Sequence, residues 1–346
     1  MKINVEPSPE PFKMKTKTSK LFSMFVKLCF LPITVTSEKM HFNFFSIKTM
    51  IYLIYTFGFY IIFITINLVK IEYLFNYDST FVDKLTKVVL YFSFIMAYSM
   101  PLQLAKALKN LNIKSWALDT LPWPKLGVKI LLVSLGSFAG ATLNDFLKGP
   151  MIHIWSLNFG TLLTFFYFAN NILFFLGWFQ PILIVAMFLQ QLIDRIRNIS
   201  VINFGCNISK ILEDYTSIND SLQDFLLLWF STFPCILTFV LFMAFAALMK
   251  SVESSFERAI ADITLIGGII CSFSNVLFFS GILDETYQEM LLLRKKIHKR
   301  LYEATDKEEI KFLEYCKNEA ELLRPFNAAG YFEIDKTTWT SILSFR

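Results

Sequence analysis

Side chains that could make or break bonds are few in this chain and lie far apart. Its three histidines, His41, His153 and His298, stand at remote positions. Its five cysteines, Cys29, Cys206, Cys235, Cys271 and Cys316, form no CxxC pair and no His–Cys spacing suited to zinc, and read as reduced thiols. No GxSxG elbow, HExxH helix or phosphate-binding loop occurs. An enzymatic reading therefore has nothing to act through, and no metal or cofactor is called for. What stands out instead is a set of polar and aromatic residues in apolar surroundings: Asn144, Asp145, Tyr167, Asn170, Asn171 and Trp178. Polar groups in such segments are costly and usually face a helix bundle or a wet cavity. The alternative is that Tyr167 and Trp178 anchor the chain at an interface and that Asp145 is an exposed carboxylate beside Lys148.

The composition decides what surrounds them. Of 346 residues 55% are hydrophobic, 39 are Phe, and the mean hydropathy is +0.50. That is too apolar for a water-soluble domain of ordinary surface. Charged residues, 18% of the chain, fall in blocks between long apolar stretches, as exclusion from hydrocarbon requires. The net charge of +5 then belongs to loops beside membrane spans and needs no nucleic acid. The first twenty residues lack the apolar core of a cleavable signal peptide.

The sequence predicts an all-α, polytopic transmembrane helical bundle with six complete spans and the start of a seventh. Residues 1–49 form a lysine-rich arm whose stretch 21–33, interrupted by Lys27 and Pro32, suits an interfacial segment. A six-helix bundle follows over 50–282, with spans at 50–69, 88–104, 130–147, 162–189, 225–248 and 263–282; the first is long enough to cross a core of ~30 Å, and the second is shorter, with Pro101 able to kink it. Residues 190–224 read as a loop. Residues 283–336 carry apolar residues at three- and four-residue steps with charges on the other faces. Tyr287, Met290, Leu291, Ile297, Leu301 and Tyr302 form one such run, and Ile310, Leu313, Cys316, Ala320 and Leu323 a second. They predict two amphipathic helices that need an apolar partner, either within the subunit or on another. With the N-terminus cytoplasmic, residues 1–49, 105–129, 190–224 and 283–336 lie inside and hold most of the 33 basic residues, among them the block from Arg294 to Arg300.

The end of the chain carries a motif. Pro325, Phe326, Asn327, Ala328, Ala329, Gly330, Tyr331 and Phe332 are followed by an acidic residue, Ile334 and Asp335. The run reads as the entry to one more helix, and it resembles the segment leading into the last helix of insect gustatory receptors. That resemblance implies a seven-helix receptor with a cytoplasmic N-terminus, whereas G-protein-coupled receptors place theirs outside and carry DRY and NPxxY signatures that are missing here.

The resemblance also implies a function: a ligand-gated cation channel subunit that detects a small-molecule tastant at the plasma membrane. The tastant would lie among the outer halves of the spans, where Asn144, Asp145, Tyr167, Asn170, Asn171 and Trp178 offer aromatic walls and a few polar groups. The helices carrying Tyr287, Leu291, Leu301, Ile310, Leu313 and Leu323 would join other gustatory receptor subunits in a homo- or hetero-tetramer. In that family the last helix carries the signature TYhhhhhQF, where h is apolar, and lines the ion path. Here residues 337–346 begin such a helix with Thr337, Thr338 and Trp339, and no Gln-Phe pair follows. The chain as written is thus expected to be shortened at its C-terminus and to lack the pore-lining half of that helix. Two other readings stay open: a polytopic transporter, and a non-conducting regulatory membrane subunit. Three sequons, at Asn198, Asn207 and Asn219, fall in segments expected inside the cell and read as coincidental.

Cysteine labelling from outside the cell checks the topology. A probe introduced at Glu253 is expected to react and one at Lys296 to stay protected, and the reverse pattern would invert the whole arrangement.

Overall fold

The computed structural model describes residues 34–35, 40–54, 57–58, 61, 95–96, 99–109, 181–199, 204–249 and 255–334. Its order begins with two antiparallel two-residue strands, β1 (Thr34–Val35) and β2 (Met40–His41), with Thr34 opposite His41 and Val35 opposite Met40. The other elements are helical: segments at 47–54, 99–109 and 181–197, then α1 (Phe204–Met249), α2 (Ser255–Glu303) and α3 (Lys307–Glu321). The expected all-α character holds for these elements apart from the small ladder. The interfacial segment expected at 21–33 lies outside the described residues.

α1 and α2 are long for a reason visible in their sequences. The apolar stripe of α1 repeats at three and four residues through Ile208, Ile211, Leu212, Tyr215, Ile218, Leu222, Phe225, Leu226, Trp229 and Phe230, all buried. Nothing breaks the period at the point where hydropathy alone would begin a span. The loop expected over 190–224 is therefore a correction: the preceding helical segment reaches 197 and α1 starts at Phe204. Hydropathy averages miss such a stretch because its polar half hides an amphipathic helix. Likewise the division expected between 282 and 283 falls within α2, whose buried face continues through Val276, Phe279, Leu283, Met290, Leu293 and Ile297. Thr286 sits in that face without penalty because its hydroxyl donates to the Ile282 carbonyl at 2.6 Å.

α1 and α2 run antiparallel. Phe225 meets Phe279, and ten residues earlier on α1 Tyr215 lies within electrostatic reach of Tyr287, later on α2. α3 folds back after the three-residue link 304–306. Asp306 caps it by accepting from the Glu308 amide, Glu308 and Glu309 in the first turn complement the helix dipole, and Leu313, Cys316 and Ala320 face inward. All three helices, with 99–109, 181–197 and the loop after α3, share one apolar core.

The first helical segment is different. Ser46 caps it, accepting from the Thr49 amide at 3.2 Å, and Thr49 is fully buried. Yet Ile47, Ile51, Ile54, Phe57 and Ile61 are each at least 60% exposed, forming a stripe at helical spacing on the outer side. Among the described residues no helix is long and apolar enough to cross a membrane. The expected spans rest largely on residues, or on side chains, beyond that description.

Phe279 is the centre of the aromatic cluster, edge-on to Trp229 at 4.9 Å and stacked on Phe230 at 6.1 Å. Phe279→Ala should cost about 3–5 kcal/mol of stability. A thermal unfolding midpoint unchanged from wild type would show that the cluster does not hold α1 to α2.

Candidate functional site

Three sets of ion pairs tie the earlier helical segments to α1 and α2. Lys106 reaches Asp224 at 3.2 Å, Arg195 reaches Asp214 at 2.7 Å, and Arg197 spans Glu285 and Glu289 at 2.9 and 2.6 Å. They differ in weight. Lys106 and Asp224 are exposed, so that pair contributes little. Asp214 is only 9% exposed, so removing Arg195 would leave a buried carboxylate without its cation. Arg197 has its basicity raised by hydrogen bonding to Glu289 first and Glu285 after it. A further set joins α2 to α3: Arg300 donates to Glu309 at 2.8 Å, while Arg294 and His298 both approach Glu321 at 3.8 Å.

Against this frame the segment after α3 forms a tight hairpin, and the helix start expected at 337–346 lies outside the described residues. Tyr331 N–H donates to the Ala328 carbonyl, Ala328 N–H to Phe332, and Ile334 N–H to Phe326, at 2.8 to 2.9 Å. Asn327 and Glu333 bridge its two arms. The turn residues are Ala329 at φ 50° and Gly330 at φ 79°, the paired left-handed conformation of a type I′ turn. Glycine takes this freely, whereas alanine costs about 1 kcal/mol there. Asn327 offsets part of that cost, its Oδ1 accepting from the Gly330 amide at 2.9 Å.

α1 holds this hairpin. The Tyr215 hydroxyl donates to the Arg324 carbonyl at 2.8 Å, and the Asn219 amide donates to the carbonyls of Arg324 and Pro325, both at 3.3 Å. Phe326 is fully buried, edge-on to Tyr215 at 5.2 Å, and Phe332 packs edge-on to Phe230 at 6.2 Å. Burial raises the pKa of Tyr215 far above the ordinary range, so it stays a donor.

The residues expected to bind ligand, Asn144, Asp145, Tyr167, Asn170, Asn171 and Trp178, lie outside the described residues, as does Asp335. Of the remaining motif residues, Phe326 and Ile334 are buried, Pro325, Ala329 and Phe332 are partly buried, and Gly330 and Tyr331 are exposed at the turn. Of those expected in assembly, Leu313 is buried within this chain, and Tyr287, Leu301 and Leu323 pack against its core. Leu291 and Ile310 are partly exposed. Sequence reasoning passed over Tyr215 and read Asn219 only as a sequon. The available signal was position: two polar residues four apart on the buried stripe of α1 must have partners. Between α1 and α3 an open groove of about 380 Å³ is lined by Glu213, Asp220, Glu319 and Tyr315 among others. Among the described residues no cluster of three or more His, Cys, Asp or Glu could hold a metal ion.

No protein-family profile and no curated protein matches the chain. In fold the chain is similar to two solved structures. It is similar to the structure of the insect olfactory receptor OR5 from Machilis hrabei, at 12% identity and a TM-score of 0.62, over 95% of each chain. It is also similar to the same receptor in complex with eugenol, at 13% identity and a TM-score of 0.54, over 97% of each.

Cys316, buried where α3 meets the core, reports on that packing. Burial, with Glu319 adding to it, pushes its thiol from 9.0 up to about 11. A raised value favours the neutral thiol in the fold, so its contribution to stability is complete below pH 9 and is lost as pH rises towards 11. At pH 8, iodoacetamide should label Cys316 at least about tenfold more slowly in the native chain than in denaturant. Equal rates by peptide mass spectrometry would mean that α3 does not pack as described.

Proposed function

We propose that this chain is a chemosensory receptor of the gustatory class, a subunit of a ligand-gated cation channel that detects a small-molecule tastant. The observation that carries the reading is the end-to-end likeness of fold to an insect olfactory receptor, 95% of each chain, joined to the terminal motif from Pro325 to Asp335. The chain is a multi-pass protein of the plasma membrane. The exposed stripe from Ile47 to Ile61 supports this, since five large apolar side chains on one face call for lipid rather than water. So does the gathering of Lys106, Arg195, Arg197 and the α2 block, all from segments assigned to the cytoplasmic side, around the polar halves of α1 and α2.

The ligand is a small organic molecule, as eugenol is for the similar receptor. Asn144, Asp145, Tyr167, Asn170, Asn171 and Trp178 line its cavity, aromatic faces stacking and amides donating hydrogen bonds. Subunits assemble as a homo- or hetero-tetramer through the outer faces of α2 and α3, where Leu291 and Ile310 are partly exposed, whereas Leu313 is taken up by this chain's own core and Tyr287, Leu301 and Leu323 pack against it.

Patch recording from cells that express this protein is the test, with eugenol, sugars and bitter organic compounds applied in turn. A gated cation current is expected, and Asn170→Ala should raise the half-maximal concentration of the active compound about tenfold. Saturable uptake of a compound with no gated current would replace the channel by a transporter.

A further inference from the structure

The seam between α2 and α3 holds two kinds of ion pair. At the start of α3, Arg300 is closed onto Glu309 at 2.8 Å, a full hydrogen bond. At its end the arrangement is open. Arg294 Nη2, His298 Nε2 and Lys317 Nζ stand 3.8, 3.8 and 3.9 Å from one and the same atom, Glu321 Oε1. Those separations exceed a hydrogen bond, so three donors are gathered and none is spent on the carboxylate. Among the described residues no other carboxylate pairs with any of the three. Their side chains are 39%, 33% and 35% exposed, which sets them partly into the seam and weakens the screening of their charge by solvent. Glu321 is a poor match for them. It brings one negative charge to the two formal charges of Arg294 and Lys317, and one oxygen to three donors. Lys295 and Lys296 add to the surplus, since both are exposed and neither forms an ion pair among the described residues, whereas Lys299 has Glu303 at 3.9 Å.

We propose that the seam at Arg294, His298 and Lys317 is a binding site for a polyphosphorylated small molecule, with Glu321 as the carboxylate that the ligand displaces. A phosphate group carries more negative charge than a carboxylate and has three peripheral oxygens, so it can accept from all three donors at once. Linked phosphates gain further from the surplus charge of Lys295 and Lys296, which raises the local concentration of any polyanion. Such a ligand is either free or borne by a lipid, and the position along α2 favours the free form. On the membrane reading proposed above, the uncharged stretch of α2 closes at Asp284, and Arg294 stands ten residues further, about 15 Å along the helix. A headgroup layer is only about 5–8 Å deep. The choice of source rests on the membrane reading, and the site itself does not.

Calorimetric titration of sodium tripolyphosphate into the whole chain, held in phosphatidylcholine nanodiscs, tests the site. It reads no current, so it stands or falls apart from the channel reading. Saturable binding is expected. Arg294→Gln combined with Lys317→Gln should weaken it by about tenfold or more, because two charge-assisted contacts are lost. Glu321→Gln should strengthen it by about fivefold, because the competing carboxylate is neutralised. Lys295→Gln combined with Lys296→Gln removes the same charge outside the seam and should weaken binding by about twofold at most. Absence of saturable binding, equal losses in the two double variants, or a Glu321→Gln variant that binds no more tightly than wild type overturns the proposal. Should the Arg294 and Lys317 double variant fail to fold, Lys317→Gln against Lys295→Gln decides by the same comparison. Repeating the titration with a phosphoinositide lipid in the nanodisc separates the sources. Unchanged affinity supports a free ligand, and loss of tripolyphosphate binding gives the site to the lipid headgroup and overturns that assignment.

Discussion

A long amphipathic helix must bury its apolar face wherever that face would meet water. α1 has 46 residues and α2 has 49, lengths of roughly 70 Å. Charges are absent from α1 after Asp224 and from α2 between Asp262 and Asp284, and outside those stretches both helices are polar on part of their surface. On the proposed membrane reading the uncharged stretches lie against lipid and need no protein cover. The polar halves do, because Ile208, Ile211, Ile218 and Leu222 would otherwise face water, at about 1.5–3 kcal/mol each. α3, the 99–109 and 181–197 segments and the terminal hairpin are the cover. Their arrangement follows from this one requirement.

The charged residues fall where that cover has edges. Lys106, Arg195 and Arg197 lie at or near the ends of their helical segments and meet Asp224, Asp214 and the Glu285–Glu289 pair on the long helices. Glu285 and Glu289 stand one helical turn apart, so a single guanidinium can bridge both. Most of these pairs are exposed enough to add specificity more than stability. The Arg195–Asp214 pair is the exception, being nearly closed to water. It fixes the register of the 181–197 segment on α1, since a shift of one turn would bury Asp214 without a cation.

Much of this was legible in the sequence and some of it could not have been. The amphipathic runs from Tyr287 to Tyr302 and from Ile310 to Leu323 were visible because a three- and four-residue apolar period is a property of local sequence. The start of α1 at Phe204 was hidden because a hydropathy average over an amphipathic helix resembles that of a loop. The candidate ligand residues follow from the resemblance, which implies a cavity among the outer halves of the spans, and from polar and aromatic character there, a criterion that finds cavity walls and interfacial anchors alike. The partners of Tyr215 and Asn219 lie more than a hundred residues away in sequence, at Arg324 and Pro325. No local pattern encodes a contact at that separation. What the sequence did carry was half of the contact, a polar pair placed on a buried stripe.

The terminal motif shows why its residue types belong together. Read as the first turns of a helix, Phe326, Ala329, Gly330 and Phe332 make poor sense, since Gly330 weakens any helix and Ala329 would have no special role. Read as a hairpin, each position has a physical cause. Pro325 lacks an N–H, so its carbonyl is its only backbone hydrogen-bonding group, and it accepts from Asn219. Phe326 fills the space beside Tyr215, Asn327 supplies the acceptor beneath the turn, and the small pair Ala328 and Ala329 lets one residue be buried and the next turn left-handed. Gly330 completes the turn, Tyr331 points away from the core, and Phe332 returns to α1 at Phe230. A degenerate pattern of aromatic, small, glycine and aromatic residues is therefore the shape of a plug, and the helix it plugs against is the one that supplies Tyr215 and Asn219.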